Sequence, residues 1–206
     1  VNSFEEEVSV NGELFPETIN VASPDFFKIF DFDISDGSVK DVLNHPNNVV
    51  ITQETKQKYF GDQPAIGREI QIRIGDEVRN FEIKAVLENL PSNSSIQFDL
   101  LVSDINAKDL FPEQMLTSWF MISGVNYVLL KEGVTAENME AQFPSLVEQV
   151  IGDRLRGRKY NIHLQPITDI HLNNEIPAGF ASVSDPKYTF ILAVIAGLIL
   201  ILACIN

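Results

Sequence analysis

The run at 189–205 constrains this chain most. It reads TFILAVIAGLILILACI, 17 residues without a charge or a strong polar group. As an α-helix it measures about 26 Å, against a hydrocarbon core of roughly 30 Å. A buried helix of a soluble protein usually keeps a polar stripe, whereas this run is apolar all round. It is therefore expected to be the first part of a membrane-spanning helix, short of a full span where Asn206 is reached. Tyr188, Phe190, Ile191, Leu198, Leu200, Leu202 and Ile205 are the side chains expected in the bilayer. Ser184-Asp185-Pro186 suits a helix start, with a capping side chain ahead of a proline whose missing N–H costs nothing in the first turn. Tyr188 and Lys187 then stand where interfacial anchors belong. A run at this end of the chain is not a signal peptide, and none is expected at Val1. One lysine beside the helix is too little to orient it by the positive-inside rule.

What precedes the run is acidic. The whole chain has 15 Lys+Arg against 29 Asp+Glu, a net charge of -14 over 206 residues. Such a surface is repelled by nucleic-acid phosphates and anionic headgroups, so neither nucleic-acid binding nor peripheral docking on anionic membranes is expected. A large acidic domain is compatible with an extracytoplasmic location. A single cysteine excludes an internal disulfide framework and a cysteine-rich zinc site. The length allows one large domain or two small lobes.

Patterning gives the elements. Residues 5–10 alternate, Asn11-Gly12 is a hairpin turn, and 13–21 alternate again. Ser23-Pro24-Asp25 predicts a helix whose buried face is Phe26, Phe27, Ile29 and Phe30, with Gly37 in the loop after it. Val49-Val50-Ile51 is a short buried strand. Thr52 caps a helix that runs to Lys58 and carries Tyr59 and Phe60 to a stop at Gly61. Strands follow at 69–74, 80–88 and 97–102, so 48–103 reads as a strand-rich lobe of its own. Residues 104–111 predict a short helix or turn, and 126–130 a strand. A helix starting at Thr135 is interrupted by Pro144 and restarts near Gln142. Residues 159–166 predict a final strand. No repeat of fixed period is present.

The search for chemistry finds little. There is no phosphate-binding loop, H-E-x-x-H, G-x-S-x-G, C-x-x-C or G-x-G-x-x-G. His45, His163 and His171 are single and read as surface or structural residues. Glu5, Glu6 and Glu7 alternate faces on a strand, which makes a solvated edge rather than a metal site. Asn93-Ser94-Ser95 matches a glycosylation sequon at chance level. Arg154, Arg156, Arg158 and Lys159 form the one basic cluster, suited to the C-terminal end of the preceding helix or to an acidic partner. No catalytic, cofactor-binding or metal-ligating residues are expected, and no enzyme activity.

Several stretches, in order, resemble the MacB-like periplasmic core domain of FtsX-type ABC transporter permeases. They are Val21-Ala22-Ser23-Pro24-Asp25-Phe26-Phe27-Lys28-Ile29-Phe30, Val49-Val50-Ile51-Thr52, and Tyr59-Phe60-Gly61-Asp62 with Pro64 and Ile66-Gly67-Arg68. Residues 82–91 with Asn93-Ser94, 126–131, Leu164-Gln165-Pro166-Ile167-Thr168-Asp169-Ile170-His171-Leu172 and the end at 201–206 complete the set. Ala85 and Ile96 depart from the Gly and His of many members.

The resemblance implies an α+β fold, with a split α/β lobe, called Porter-like, and an inserted β-rich lobe, called Sabre-like. On this sequence the first is expected over 1–47 and 119–185 and the second over 48–118, with 186–206 as the membrane helix. It implies a permease of the bacterial inner membrane, with residues before Ser184 in the periplasm. Its implied partners are the lipid bilayer, a cytosolic ABC ATPase subunit, a second permease copy and a periplasmic or outer-membrane protein. Export or mechanical transmission across the membrane would be powered by that ATPase. The alternative is a ligand-binding or sensor ectodomain of a membrane receptor. A domain that transmits force must be stiffly joined to its helix, so the connector after Leu172 is expected to dock through Ile176, Phe180 and Val183, its large apolar side chains.

Overall fold

β1 (Asn2–Val10) and β2 (Glu13–Ala22) form a long antiparallel hairpin, register Val8↔Phe15 and Phe4↔Ile19. The turn residues Asn11 and Gly12 have φ of 53° and 89°, the left-handed pair that matches strand twist in a two-residue turn. In this computed structural model residues 1–75, 77–121, 124–170 and 186–205 are described. They fall into two units, Val1–Leu129 and Leu130–Asn206.

In the first unit the hairpin is part of a larger sheet. The chain continues through α1 (Phe26–Ile29), β3 (Ile34–Gly37), β4 (Asn48–Thr52), α2 (Gln53–Phe60), β5 (Glu69–Ile74), β6 (Glu77–Leu87) and β7 (Leu100–Ser103). The strand order is β3-β6-β4-β7-β2-β1-β5, and β5 pairs with β6 as well as with β1. All strands but β3 therefore form a closed ring, with β2 parallel to β7 and β4 parallel to β6. The strand-rich stretch 48–103, expected to be a lobe of its own, does not close without the hairpin. β1 and β2 fill the gap between β5 and β7, and hydrogen bonding runs straight across position 47/48.

Alternation decides what enters the ring. Val8, Ile19, Val49, Ile51, Ile72, Phe81, Ile83, Leu100 and Val102 are fully buried and pack as one cluster. Burying each such side chain is worth about 1.5–3 kcal/mol. The outward face of β4, β6 and β7 is also covered. Val50, Ala85, Leu87 and Leu101 lie under Phe26, Val42, Leu43 and Phe98 in a second cluster. The ring of Phe26 sits 5.2 Å from Phe27, 5.1 Å from Phe30 and 5.5 Å from Phe32, centroid to centroid. This packing shortens the helix expected after Ser23. The chain leaves helical geometry at Phe30, which is extended, so that both Phe30 and Phe32 reach Phe26. The extended backbone then feeds β3, which places Gly37 in a strand rather than in a loop.

Gly37 has a reason to be glycine. β6 bulges against β4: Val49 faces Ile83 and Val50 faces Ala85, leaving Lys84 as the extra residue. The carbonyl of Lys84 takes the space a Cβ on Gly37 would need, and Gly37 has φ of 78°.

Short helices α3 (Ala107–Leu110) and α4 (Glu113–Thr117) follow β7; α3 falls within the helix or turn predicted over 104–111, and α4 lies beyond it. No strand forms at 126–130 or 159–166 among the described residues, contrary to expectation. A strand exists only where a neighbour takes its backbone groups, and no described ladder lies beside either stretch.

The second unit contains α5 (Ala136–Glu140) and α6 (Phe143–Leu155). Thr135 caps α5, accepting a hydrogen bond from the Asn138 N–H at 3.2 Å. Gln142 is the N-cap of α6 and Pro144 lies in its first turn, so the helix restarts where the proline predicts. Phe143, Val147 and Ile151, spaced by four, are its buried face. α7 (Pro186–Ile205) is the last element.

Candidate functional site

α7 is the element the sequence singles out, and it starts at the proline predicted to open it. Its 20 residues make a helix of about 30 Å, the thickness of a hydrocarbon core. Mean hydropathy over its best window is 2.8 and none of that window is buried. Lys187 is its one charged residue. Tyr188, Phe190, Ile191, Leu198, Leu200, Leu202 and Ile205 all lie on α7 with exposed side chains. By length and composition α7 is a candidate membrane span. Ile176, Phe180 and Val183 lie outside the described residues.

In the first unit a buried carboxylate is paired with a lysine. Thr52, the last residue of β4, caps α2 by accepting from the Thr55 N–H at 3.2 Å. That fixes the helix so that Lys58 and Tyr59 reach β2. Lys58 Nζ lies 2.8 Å from Glu17 Oε1, whose side chain is almost wholly buried, and 5.5 Å from the Phe15 ring centroid. The Tyr59 ring packs against Phe15 at 4.9 Å, the two planes tilted by 46°. Burial first, and the Glu17 carboxylate second, push the Tyr59 phenol well above its usual range. Sequence reading missed this pair, although Glu17 falls on the same face of β2 as Phe15 and Ile19. A carboxylate, an ammonium and a neutral phenol held in this way make a clamp, with no nucleophile set beside a base.

Asp99 ties three elements together. Its carboxylate accepts from the Thr18 N–H at 2.7 Å. Its carbonyl accepts from the Thr52 N–H at 3.2 Å and from the Thr55 hydroxyl at 3.3 Å. A cavity of about 130 Å³ lies beside these groups, lined by Thr18, Thr52, Glu54, Asn89, Gln97 and Asp99 among others. It is smaller than the roughly 300 Å³ of ordinary ligand pockets, and several of its polar groups are already bonded to the fold. A hollow of about 360 Å³ includes Lys28 and Lys40. Lys28 is paired with Asp25 at 2.6 Å.

The remaining polar residues stay apart. Among the described residues no group of three or more His, Cys, Asp or Glu is placed to hold a metal. Glu5 and Glu7 face solvent while Glu6 is half-buried, the alternation expected of a strand. His45 borders a shallow hollow with Lys84. His163 Nδ1 lies 3.5 Å from Glu140, and His171 is outside the described residues. Arg154, Arg156, Arg158 and Lys159 are exposed at the C-terminal end of α6, where Arg156 takes the left-handed cap conformation. Cations there offset the helix dipole.

Solved structures share this architecture. A domain described as belonging to a permease protein from Porphyromonas gingivalis superposes with a TM-score of 0.64 at 20% identity, over 94% of this chain and 77% of that one. The periplasmic region of MacB from Actinobacillus actinomycetemcomitans gives a TM-score of 0.52 at 14% identity, over 73% of this chain and 65% of that one. No curated protein sequence matches the chain. The profile of the MacB-like periplasmic core domain matches residues 1–146. An α+β ectodomain fold, the ordered motifs and this match agree: the chain belongs to the MacB-like periplasmic core domain family of ABC-type permeases.

Proposed function

We propose that this chain is the periplasmic domain and the following membrane helix of a permease in the bacterial inner membrane. It works in export or in mechanical transmission, powered by a separate cytosolic ATPase and paired with a second permease copy. A periplasmic or outer-membrane protein meets it on the outer side. The chain itself performs no catalytic step in this reading. The observation that carries it is α7, an apolar helix of membrane length with no buried residue in its best window, in a chain whose residues 1–146 match the family's core domain.

The topology is tested by replacing the exposed Ser38 with cysteine, in a background where the one native cysteine, Cys204, is changed to serine. In cells with a permeabilised outer membrane, an impermeant maleimide labels Ser38→Cys before the inner membrane is broken. Labelling only after it is broken sinks the reading.

Two finer assignments belong to the same proposal. The lobe division keeps a Porter-like lobe over 1–47 and 119–185 and an inserted Sabre-like lobe over 48–118, with β1 and β2 of the first hydrogen-bonded to β5 and β7 of the second. The connector before α7 docks through Ile176, Phe180 and Val183, since a free chain of about a dozen residues spans roughly 20 Å as a coil and passes on almost no displacement. Phe180→Ser then abolishes the export phenotype while the ectodomain stays folded and the permease–ATPase complex assembled. Full export by that variant removes the stiff connector.

A further inference from the structure

α6 ends in the densest group of cations on the chain. Arg154, Arg156, Arg158 and Lys159 fall within six residues, and Asp153 is the one acid between Glu148 and Asp169. All four are exposed. Among the described residues none of the four side chains is in an ion pair or a hydrogen bond. In the first unit, by contrast, Lys28, Lys58, Arg79 and Lys84 each lie between 2.6 and 3.0 Å from a carboxylate.

The helix end accounts for only part of this group. The pull of the helix dipole falls off within the last turn, and α6 is over at Arg156. Arg156 and Gly157 have φ of 47° and 80°, and the Arg158 N–H folds back to the Leu155 carbonyl at 2.9 Å. Arg158 and Lys159 lie beyond that reversal. Arg156 itself holds a left-handed position that glycine or asparagine fills at less cost. The side of α6 leading to the cluster is apolar and uncovered. Leu146 and Val150, one turn apart, are 41% and 45% exposed, and Arg154 is next in the same row. Exposed apolar side chains running into exposed cations match the boundary between lipid headgroups and acyl chains.

We propose that this end of α6 docks on anionic phospholipid headgroups, with Arg154, Arg156, Arg158 and Lys159 on the phosphates and Leu146 and Val150 beside them in the interface. The inference rests on the reading of α7 as a membrane helix. That helix brings a bilayer to this unit, and the 26 residues between Lys159 and Pro186 let the cluster stray at most about 90 Å from it. The chain's net charge of -14 does not forbid the contact, because charges beyond the screening length of about 8 Å hardly act on it. Near an anionic surface each cation strengthens binding about fivefold. An acidic face on a second copy would satisfy the cations alone; the exposed Leu146 and Val150 favour lipid.

The test places the 206-residue chain in nanodiscs of phosphatidylcholine, alone or with phosphatidylglycerol added. Each disc carries a trace of lipid with a paramagnetic headgroup, and relaxation enhancement is read at the amides of 154–159. Anionic lipid raises it at least about fivefold, and about 0.5 M NaCl, where screening shortens to roughly 4 Å, removes the gain. Arg156→Gln with Arg158→Gln abolishes most of the gain, whereas Arg156→Lys with Arg158→Lys keeps it, which separates charge from folding. Equal enhancement in the two lipids overturns the docking and leaves the cations to the helix end. So does a gain confined to discs that hold two copies, which makes the acidic face of a second copy the partner. A chain that enters neither disc overturns the reading of α7 and this inference with it; lipid-independent enhancement in a chain that does enter strikes the inference alone.

Discussion

The Glu17 carboxylate, 3% exposed, sits 2.8 Å from the ammonium of Lys58, which is 40% exposed. One partner is dry and the other is wet, so removal is asymmetric. Lys58→Met leaves a buried charge without its counterion and destabilises the first unit by about 2 kcal/mol. That is less than the 3–5 kcal/mol of a fully buried pair, because the lysine end is screened. Adding Glu17→Leu restores most of the loss. A double-mutant cycle by urea denaturation checks this; a double variant as unstable as the sum of the singles would show that the two groups do not act as a pair.

Gly37→Ala costs more than a left-handed backbone alone. The Lys84 carbonyl stands in the way of the new methyl group, whereas Gly12, with φ of 89°, has nothing within 4 Å of that position. Gly12→Ala is expected to cost about 1 kcal/mol, and Gly37→Ala at least twice that, with β3 released from β6. Equal denaturation midpoints for the two variants would contradict the steric account.

Glu140 gives the second unit a pH dependence. The Leu164 N–H donates to its carboxylate at 2.6 Å and His163 lies beside it. These contacts, the backbone N–H first, hold its carboxyl below the usual value of 4.5. A carboxylate with a depressed folded pKa contributes stability above the unfolded value and loses it as pH falls through the folded one. The Glu140 side-chain carboxyl carbon resonance is therefore expected to complete its protonation shift only below the ordinary carboxylate range. Glu140→Gln abolishes that transition.

Leu198→Arg places a cation near the middle of α7. At the centre of a spanning helix it costs about 2.5–3.5 kcal/mol of insertion free energy. A glycosylation-reporter insertion assay should register the drop, while Lys187→Ala, at the helix end, changes insertion little. Insertion indifferent to the arginine would mean that α7 does not cross the bilayer.

Local signals were legible in the sequence. The Asn11-Gly12 turn, the Thr52 cap, the restart of α6 at Gln142 and the start of α7 at Pro186 all depend on a few adjacent residues and stand where predicted. What failed depends on distant chain. The join of β2 to β7 pairs Ile19 with Leu100, and no spacing rule announces it. The helix after Ser23 is shorter than its pattern predicts because Phe30 leaves it, extended, and packs with Phe32 on Phe26. Residues 126–129 have strand patterning but no described neighbour. The Glu17–Lys58 pair needed α2 to be placed before it could be seen.

Thr18 and Asp99 are bonded backbone to side chain although 81 residues separate them. A ring whose first hairpin is completed by its last strand cannot close until that strand has been made. At a synthesis rate of about 5–20 residues per second, Thr18 waits roughly 4–16 s for Asp99. Throughout that interval the hairpin shows Val8, Val10, Ile19 and Val21 to its surroundings, side chains at most 3% exposed once the ring is shut. During biogenesis this ectodomain is therefore a client for whatever shields nascent apolar strands, and its N-terminal hairpin is the part that needs shielding longest.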